Sequence, residues 1–324
     1  MRVILFFVAA LAAFGGHANA LAQTKLARVG VLTFDAGARE PLAGFIKTLH
    51  QTLADQGWVE GKTVTFVMRD AQGNPARFGE AAAELVRQKV DVIYAISAPA
   101  LRAAFAATKS IPIIGNDYTN DPIAVGYVKA YAHPGGNVTG IFLDAPEFAA
   151  KWLELLRDTV PGLKRVVALW DPAPGDTHAR ALASAAPGLG IEVQIVEVRK
   201  PEDIDNAAAA FETQPQAVVI LPSPMLYLEN PRLANLAIKQ RVPSTSMNPR
   251  FPDAGGALAY GPDEQWTIER LALMVGKILR GAKPADLPIE RPVKFDLVVN
   301  LKAAKQLNLK IPDAVVNRAD RVIR

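Results

Sequence analysis

The sequence has no cysteine, only four histidines and no long apolar run after its first 20 residues. The missing cysteine excludes disulfides, thiolate metal sites and a cysteine nucleophile. No two histidines have metal-binding spacing, and His133 and His178 fall in loop-like sequence, so we expect no metal site and no cofactor. A membrane span needs about 18 consecutive apolar residues, so no direct membrane insertion is expected.

Motifs of catalysis and of nucleic-acid binding are also missing. The segment "GWVEGKT" (57–63) separates its glycines by three residues instead of the four of a P-loop. No dinucleotide fingerprint follows the first strand, and no G-x-S-x-G elbow occurs. The net charge of +4 is scattered and forms no basic stripe, so we predict no catalytic residues, no enzymatic activity and no nucleic-acid partner.

The N-terminus has the pattern of a secretory signal. Arg2 precedes an apolar run over 3–14, and the small residues 18–20 fit a cleavage site. Residues 1–20 are therefore predicted to be a signal peptide. Since no cysteine follows for a lipid anchor, the mature chain is expected to lie free in the periplasm.

From residue 25 the sequence alternates apolar, β-branched strands with amphipathic helices, which is typical of parallel sheets covered by helices. The rhythm runs to residue 142 and then restarts. It predicts strands at 27–34, 64–70, 90–97, 111–117 and 137–142, and after the restart at 165–170, 191–198, 217–223, 242–247, 257–261 and 296–301.

The predicted fold class is therefore α/β, with two doubly wound parallel-sheet lobes joined by a multi-strand hinge. Lobe one is expected to comprise 25–142 plus about 263–295, and lobe two 145–261. The tail, 296–324, is expected near the hinge.

Ligands of open parallel sheets bind beyond the carboxyl ends of the strands, and two lobes place two such edges across one cleft. The candidate ligand-binding residues are those at the strand ends: Thr33, Phe34, Ser97, Ala98, Asn116, Asp117, Tyr118, Asp144, Trp170, Asp171, Ser223 and Asn248.

The end of the third strand favours an anion. Ala98 precedes Pro99 at the start of a helix, and alanine has no oxygen to cap the first N–H groups. Those donors are suited to a ligand carboxylate, with Ser97 assisting. The alternative is that Ser97 or water satisfies them.

Three other candidates have distinct roles. Asp117 is placed to pair with a ligand ammonium group, and Tyr118 to stack on an aromatic ring. Trp170 is either a wall for a flat ligand or a packed core residue.

The glycine-rich segment "HPGGNVTG" (133–140) lacks phosphate-loop spacing and precedes a strand. We interpret its glycines as permitting a tight turn before the last strand of lobe one. Asp144 then lies near the hinge.

The chain resembles the family of ABC-transporter substrate-binding proteins of the tryptophan/tyrosine-binding type, with a periplasmic-binding-protein type I fold. The resemblance rests on segments along nearly the whole mature chain: "GWVEGKTV" (57–64), "VDVIYA" (90–95), "ATKSIPII" (107–114), "NDPIAVGYV" (120–128), "HPGGNVTG" (133–140), "ELLRDTVPGLKRVVALWDP" (154–172), "YGPD" (260–263) and the tail "GAKPADLPIERPVKFDLVVNLKAAKQLNLKIP" (281–312).

The resemblance implies a monomeric, two-lobed protein that delivers a small molecule to the membrane permease and ATPase of an importer. Members commonly carry threonine or serine where this chain has Ala98, so an aromatic acid or another carboxylate remains open beside an aromatic amino acid. A periplasmic ligand-sensing protein and a periplasmic α/β enzyme are the alternative functions.

Overall fold

The computed structural model of the chain describes residues 26–37, 40–143 and 147–324. The predicted signal peptide and Asp144 lie outside these residues. No helix in the described ranges is long and apolar enough to cross a membrane.

The first sheet consists of five parallel strands, all of which were predicted: β1 (Ala27–Thr33), β2 (Val64–Asp70), β3 (Val92–Ile96), β4 (Ile113–Asp117) and β5 (Val138–Phe142). Their order is β2-β1-β3-β4-β5. This is a doubly wound order: β2 is added on one side of β1, and β3 to β5 are added on the other side.

Both faces of this sheet are covered by helices, which explains its continuous apolar strands. On one face lie α2 (Phe78–Arg87) and α3 (Ala98–Ala107), packed on alternate residues such as Ile93. The other face carries α1 (Glu40–Ala54) and the late helix α9 (Glu264–Leu279), packed on the intervening residues such as Tyr94.

The second sheet repeats the plan and extends it. Its strands are β6 (Arg165–Trp170), β7 (Glu192–Glu197), β8 (Ala217–Ile220), β9 (Ser244–Ser246), β10 (Leu258–Pro262), β11 (Phe295–Asn300) and β12 (Arg321–Ile323). From β7 to β10 the order β7-β6-β8-β9-β10 matches that of the first sheet. Strand β11 joins β10 in antiparallel orientation, and β12 closes the edge.

Helices cover the second sheet on both faces as well. They are α4 (Glu147–Thr159), α5 (Thr177–Ala185), α6 (Asp203–Asn206), α7 (Pro224–Leu228), α8 (Asn230–Lys239), α10 (Leu301–Gln306) and α11 (Asp313–Val316). The segment 224–239 forms two helices, α7 and α8, because Pro231 has no N–H with which to continue α7 into α8.

The two sheets confirm the predicted fold class of two doubly wound lobes. The chain passes between them after β5, at Asp263 and again before β11. The last passage is tied to lobe one, because Glu290 N–H donates to Gly140 O at 3.0 Å and Phe142 N–H donates to Glu290 O at 3.0 Å. Arg270 of α9 holds the Glu290 carboxylate with contacts of 2.9 and 2.5 Å.

The position of the tail differs from the sequence prediction. Residues 296–324 were expected near the hinge, but β11 and β12 extend the second sheet. The three-residue strand β12 was not predicted; it pairs in parallel with β11. A strand of three residues is too short to show a recognisable pattern in the sequence, and it forms because it pairs with β11.

Among the glycines in the strands of the first sheet, Gly140 is the one whose added Cβ would come closest to a neighbouring strand. Its φ is +144°, and a Cβ at this position would lie 2.0 Å from Gly115 O of the neighbouring strand β4. Because the obstructing atoms belong to the backbone, no side-chain rotation relieves the clash. The requirement for glycine at 140 is therefore set by the packing of β4 on β5.

We expect Gly140→Ala to lower the free energy of unfolding by at least about 3 kcal/mol, or to prevent folding, because it adds both a clash and an unfavourable φ. Gly79→Ala is the matched control. Its Cβ meets nothing within 4 Å on the exposed side of α2, so it should stabilise the protein by about 0.5–1 kcal/mol. Urea unfolding monitored by circular dichroism measures both. Equal stability of the two variants would contradict the role assigned to Gly140.

Candidate functional site

A cavity of about 260 Å³ lies between the lobes, at the carboxyl ends of the strands of both sheets. The predicted residues that line it from lobe one are Thr33, Phe34, Ser97, Ala98, Asn116 and Tyr118. From lobe two, Ser223 and Asn248 line it. The structure thus brings these residues together around one cavity, and their contact with a ligand stays a prediction.

Three further candidates do not line the cavity, which corrects their predicted roles. Asp117 is fully buried, and its carboxylate accepts hydrogen bonds from Thr119 N–H (2.8 Å), Asn120 N–H (3.2 Å) and Asn120 Nδ2 (2.9 Å). It therefore holds the turn after β4, and no ligand ammonium reaches it.

Trp170 and Asp171 support the second lobe from behind the cavity. The Trp170 indole donates from Nε1 to Gly175 O at 2.9 Å and packs against the core of α4 and α5. This bears out the packed-core alternative for Trp170. Asp171 accepts hydrogen bonds from Ser223 Oγ (2.5 Å) and Ala173 N–H (2.9 Å).

The N-terminus of α3 is open towards the cavity. No side chain caps this helix, and the first intrahelical bond is donated by Leu101 N–H to Ser97 O at 2.9 Å. Pro99 has no N–H, and the amides of Ala98 and Ala100 donate no hydrogen bond within the described part of the chain. With the helix dipole, these donors form a favourable site for an anion.

The equivalent helix of lobe two is closed. Helix α7 follows β8 as α3 follows β3, and Ser223 caps it by accepting from Met225 N–H (3.1 Å) and Leu226 N–H (3.3 Å). Ser223 in turn donates to Asp171, so its hydroxyl is fully engaged. Of these two equivalent helix starts, only the one in lobe one is free to receive a ligand.

Three buried polar atoms at the cavity have no hydrogen-bond partner within the described protein: Ser97 Oγ, Asn116 Oδ1 and Asn248 Nδ2. Buried polar atoms in folded proteins are normally bonded, so three exceptions around one cavity point to a ligand or to water there. Ser97 and Asn116 are adjacent, since Ser97 N–H donates to Asn116 O at 3.0 Å.

Ser97 also carries backbone strain. Its φ of +111° and ψ of 160° lie in a region that is essentially restricted to glycine. Such strain costs of order 1–3 kcal/mol and is concentrated at functional sites. The conformation is held between β3 and the start of α3, where it turns the hydroxyl towards the cavity.

The remaining walls of the cavity are mainly apolar and aromatic. Phe34 and Phe45 contribute from lobe one, and Leu221 and Met247 from lobe two. Tyr118 lines the cavity, and its hydroxyl donates to Thr267 Oγ1 of the same cavity wall at 2.9 Å; burial raises the pKa of Tyr118. These walls are suited to a flat, apolar ring.

The lobes also contact each other around the cavity. Arg102 of α3 reaches Ala173 O (3.4 Å) and Pro174 O (3.3 Å) of lobe two. His178 Nε2 donates to Tyr118 O at 2.6 Å across the cleft; burial lowers the pKa of His178, which keeps the ring neutral. The cavity therefore lies between two lobes that are in direct contact.

Sequence reasoning missed several lining residues, notably Tyr227 and Glu264. Tyr227 lies one helical turn beyond Ser223, and Glu264 is the first residue of α9, after the crossing from β10. Both residues follow the end of a strand, and this was the sequence signal that could have identified them as lining residues. No group of three or more His, Cys, Asp or Glu side chains in the described part of the chain is placed to hold a metal ion.

Five strands of each sheet follow the same order, and one cavity lies between the carboxyl edges of the two sheets. This arrangement defines a two-lobed binding protein of the periplasmic type I class. The family model of the ABC transporter substrate binding protein matches residues 38–323, and the chain belongs to this family.

Known proteins and solved structures are similar to this chain over most of its length. A tyrosine-binding protein of Clostridioides difficile (strain R20291) is 24% identical over 271 residues, which is 82% of this chain and 76% of that protein. A conserved domain protein of Vibrio cholerae has a TM-score of 0.83 at 28% identity, covering 92% of this chain and 100% of the other. An ABC domain of Streptococcus pneumoniae in complex with L-Trp also has a TM-score of 0.83, at 25% identity and the same coverages.

Because Ser97 is strained, we predict that Ser97→Gly is more stable than Ser97→Ala. Both Ser97→Gly and Ser97→Ala remove the hydroxyl, but only glycine tolerates the positive φ. The ligand-free glycine variant should therefore have the higher free energy of unfolding, by about 1 kcal/mol. Urea unfolding of both variants measures the difference, and a glycine variant that is no more stable than the alanine variant would contradict strain at this residue.

Burial raises the pKa of Asp117 to about 6, outweighing its hydrogen bonds. The folded state then holds this proton more tightly than the unfolded state. The resulting stability is present below about pH 4 and is lost as the pH rises through 6, by up to about 3 kcal/mol. Asp117→Asn should remove this loss, measured by urea unfolding between pH 4 and 7, whereas Asp55→Asn at an exposed position should retain it. The same pH profile in the Asp117 variant as in the parent would show that this carboxyl is ionised throughout.

Proposed function

We propose that this chain is the periplasmic solute-binding component of an ABC importer, and that it captures a small carboxylate-bearing ligand with an aromatic ring. Residues 1–20 are its export signal, and the bound ligand is delivered to the membrane permease. One chain supplies both walls of the cavity, so a monomer suffices.

The observation that carries this proposal is the uncapped start of α3 beside the unpartnered Ser97 Oγ, inside an otherwise apolar cavity. A carboxylate fits this arrangement because it accepts from Ala98 N–H, Ala100 N–H and the Ser97 hydroxyl at once. Charged acceptors gain more from such donors than neutral ones do. The tyrosine-binding and L-Trp-bound relatives support a ring-bearing carboxylate.

Lobe one comprises 25–142 with about 263–295, and lobe two comprises 145–261 together with the tail strands. Ligand binding closes the hinge between them, because a ligand that contacts both lobes binds the closed state better than the open one. The closed form then docks on the permease and ATPase.

The test is a thermal-shift screen of aromatic amino acids, aromatic acids and aliphatic carboxylates, followed by calorimetry on each hit. A ligand that binds only the folded state raises the melting temperature. We expect an aromatic carboxylate to bind with 1:1 stoichiometry and without turnover. Its primary amide should bind at least about 100-fold more weakly, since a neutral amide loses the charge-assisted bonds at α3.

Ser97→Ala should weaken the hit by about 10-fold through loss of one hydrogen bond to a charged group. Ser110→Ala, an exposed serine just beyond the other end of α3, is the matched control and should bind like the parent. Equal affinity of the acid and its amide would remove the carboxylate site. Failure of every carboxylate to stabilise the protein would contradict the proposed function itself.

A further inference from the structure

One of the hydrogen bonds between the lobes comes from a histidine. His178 lies on α5 of lobe two, and its Nε2 is 2.6 Å from the carbonyl oxygen of Tyr118, which follows β4 of lobe one. A carbonyl oxygen only accepts hydrogen bonds, so Nε2 carries the proton and donates it. The neutral ring then has no proton on Nδ1. This contact therefore fixes both the tautomer of His178 and the nitrogen that faces lobe one.

The other ring nitrogen of His178 is buried without a partner. Nδ1 makes no hydrogen bond within the described protein, and the residue is only 3% exposed. The indole of Trp152 on α4 lies beside the ring, with 5.6 Å between the two centroids, and its Nε1 donates to Tyr260 O. A proton added to Nδ1 would thus be a buried donor without an acceptor, on a ring that has become charged. Both effects are unfavourable.

No charged side chain in the described residues offsets a positive charge on His178. Burial lowers the pKa of His178, and only its hydrogen bond to Tyr118 O opposes this effect. The buried ring therefore has no counterion that would stabilise its cation. The charged residues on the adjoining elements are engaged elsewhere: Asp117 with the turn after β4, Asp171 with Ser223, Asp176 with Arg180, Lys151 with Glu154, and Glu264 with Arg250.

Separation of the lobes removes the penalty for protonating His178. Tyr118 O then moves away from Nε2, and water reaches the imidazole, for which a pKa of about 6.5 is ordinary. The open state consequently takes up a proton more readily than the closed state does. Preferential binding of the proton to the open state shifts the equilibrium towards that state. The contribution of His178 to closure is therefore complete above about pH 6.5 and is lost as the pH falls below it.

We propose that His178 is a positioning residue that holds the two lobes together only as a neutral imidazole, so that acidification opens the cavity and releases the ligand. The release of a ligand rests on the proposed function. The contact between the lobes exists without a ligand, so its dependence on pH is measurable on the protein alone.

Two buried acids titrate near the same pH and must be separated from His178. Burial raises the pKa of Asp117 to about 6 and also raises the pKa of Glu264. Protonation of Asp117 relieves a buried charge within lobe one and needs no opening. Protonation of Glu264 weakens its ion pair with Arg250 and thus acts in the same direction as protonation of His178. A substitution of His178 alone distinguishes these effects, because both acids remain in place.

The measurement is the distance between two spin labels on the full mature chain without ligand. Because the chain has no cysteine, Ala106→Cys on α3 and Ala183→Cys on α5 supply the only two thiols, and both alanines are exposed. Electron–electron double resonance at pH 8 and pH 5.5 then gives the proportions of closed and open molecules. In the labelled parent, the ratio of open to closed molecules should rise by about 10-fold on acidification, as expected for one group of pKa about 6.5.

Three variants assign the response to His178. His178→Gln places an N–H near the position of Nε2 but does not titrate, so it should remain closed at both pH values. His178→Asn is too short to reach Tyr118 O and should be more open at both. His133→Gln is the matched control: His133 is exposed, so this variant should respond to pH as the parent does. Circular dichroism confirms that each variant is folded.

The outcomes separate this inference from the function on which ligand release rests. A label distance that is independent of pH in the parent would overturn the role of His178, as would a pH response in His178→Gln equal to that of the parent. Calorimetry with L-tryptophan and with benzoate extends the test: each dissociation constant should rise about 10-fold from pH 8 to pH 5.5 in the parent but not in His178→Gln. Failure of both probes to bind at pH 8 would count against the proposed ligand, whereas the pH response of the ligand-free protein would stand.

Discussion

The organisation of this protein depends on the parallel pairing of its strands. In a parallel sheet every strand ends at the same edge, so the loops that follow the strands are gathered there. The two sheets share one strand order and turn these edges towards each other. The cavity, its polar atoms and the contacts between lobes come from those loops and from the helices that follow them. A site of this kind needs no special motif, because the topology assembles it from residues scattered along the chain.

The similarity of the lobes makes their difference informative. Each has a helix that starts with a serine and a proline beyond its third strand in the lobe. In lobe two the serine oxygen is turned back onto its own helix, as an N-cap is expected to be. In lobe one Ser97 adopts a strained backbone instead, and its hydroxyl is left without a partner. The capped start of α7 therefore stabilises lobe two, whereas the uncapped start of α3 remains available to a ligand.

The sequence predicted the doubly wound lobes because buried parallel strands leave long apolar runs and the helices between them are amphipathic. It also placed Ser97 and Ala98 beside the cavity, but the reason was wrong: the N-cap of α3 is Ser97, whose side chain makes no capping bond, and Ala98 is the first residue of the helix. The role predicted for Asp117 was wrong. An aspartate at a strand end either faces the cleft or bonds to the following turn, and only the path of the backbone decides between the two. Glu264 was missed because it reaches the cavity through the packing of α9 on the other lobe, a contact between distant parts of the chain.

The contacts that join the lobes directly include Arg102 to the loop 173–174, His178 to Tyr118 and Arg250 to Glu264. They have a consequence for how such a protein evolves. Contacts that form only when lobes meet favour a closed state, and the apparent affinity of a ligand scales with the fraction of molecules in that state. Arg102 is not among the residues that line the cavity. Substitutions there would shift affinity for every ligand in proportion and leave the ranking among ligands unchanged. Arg102 thus affects affinity, whereas the residues that line the cavity affect selectivity, so the two properties can evolve separately.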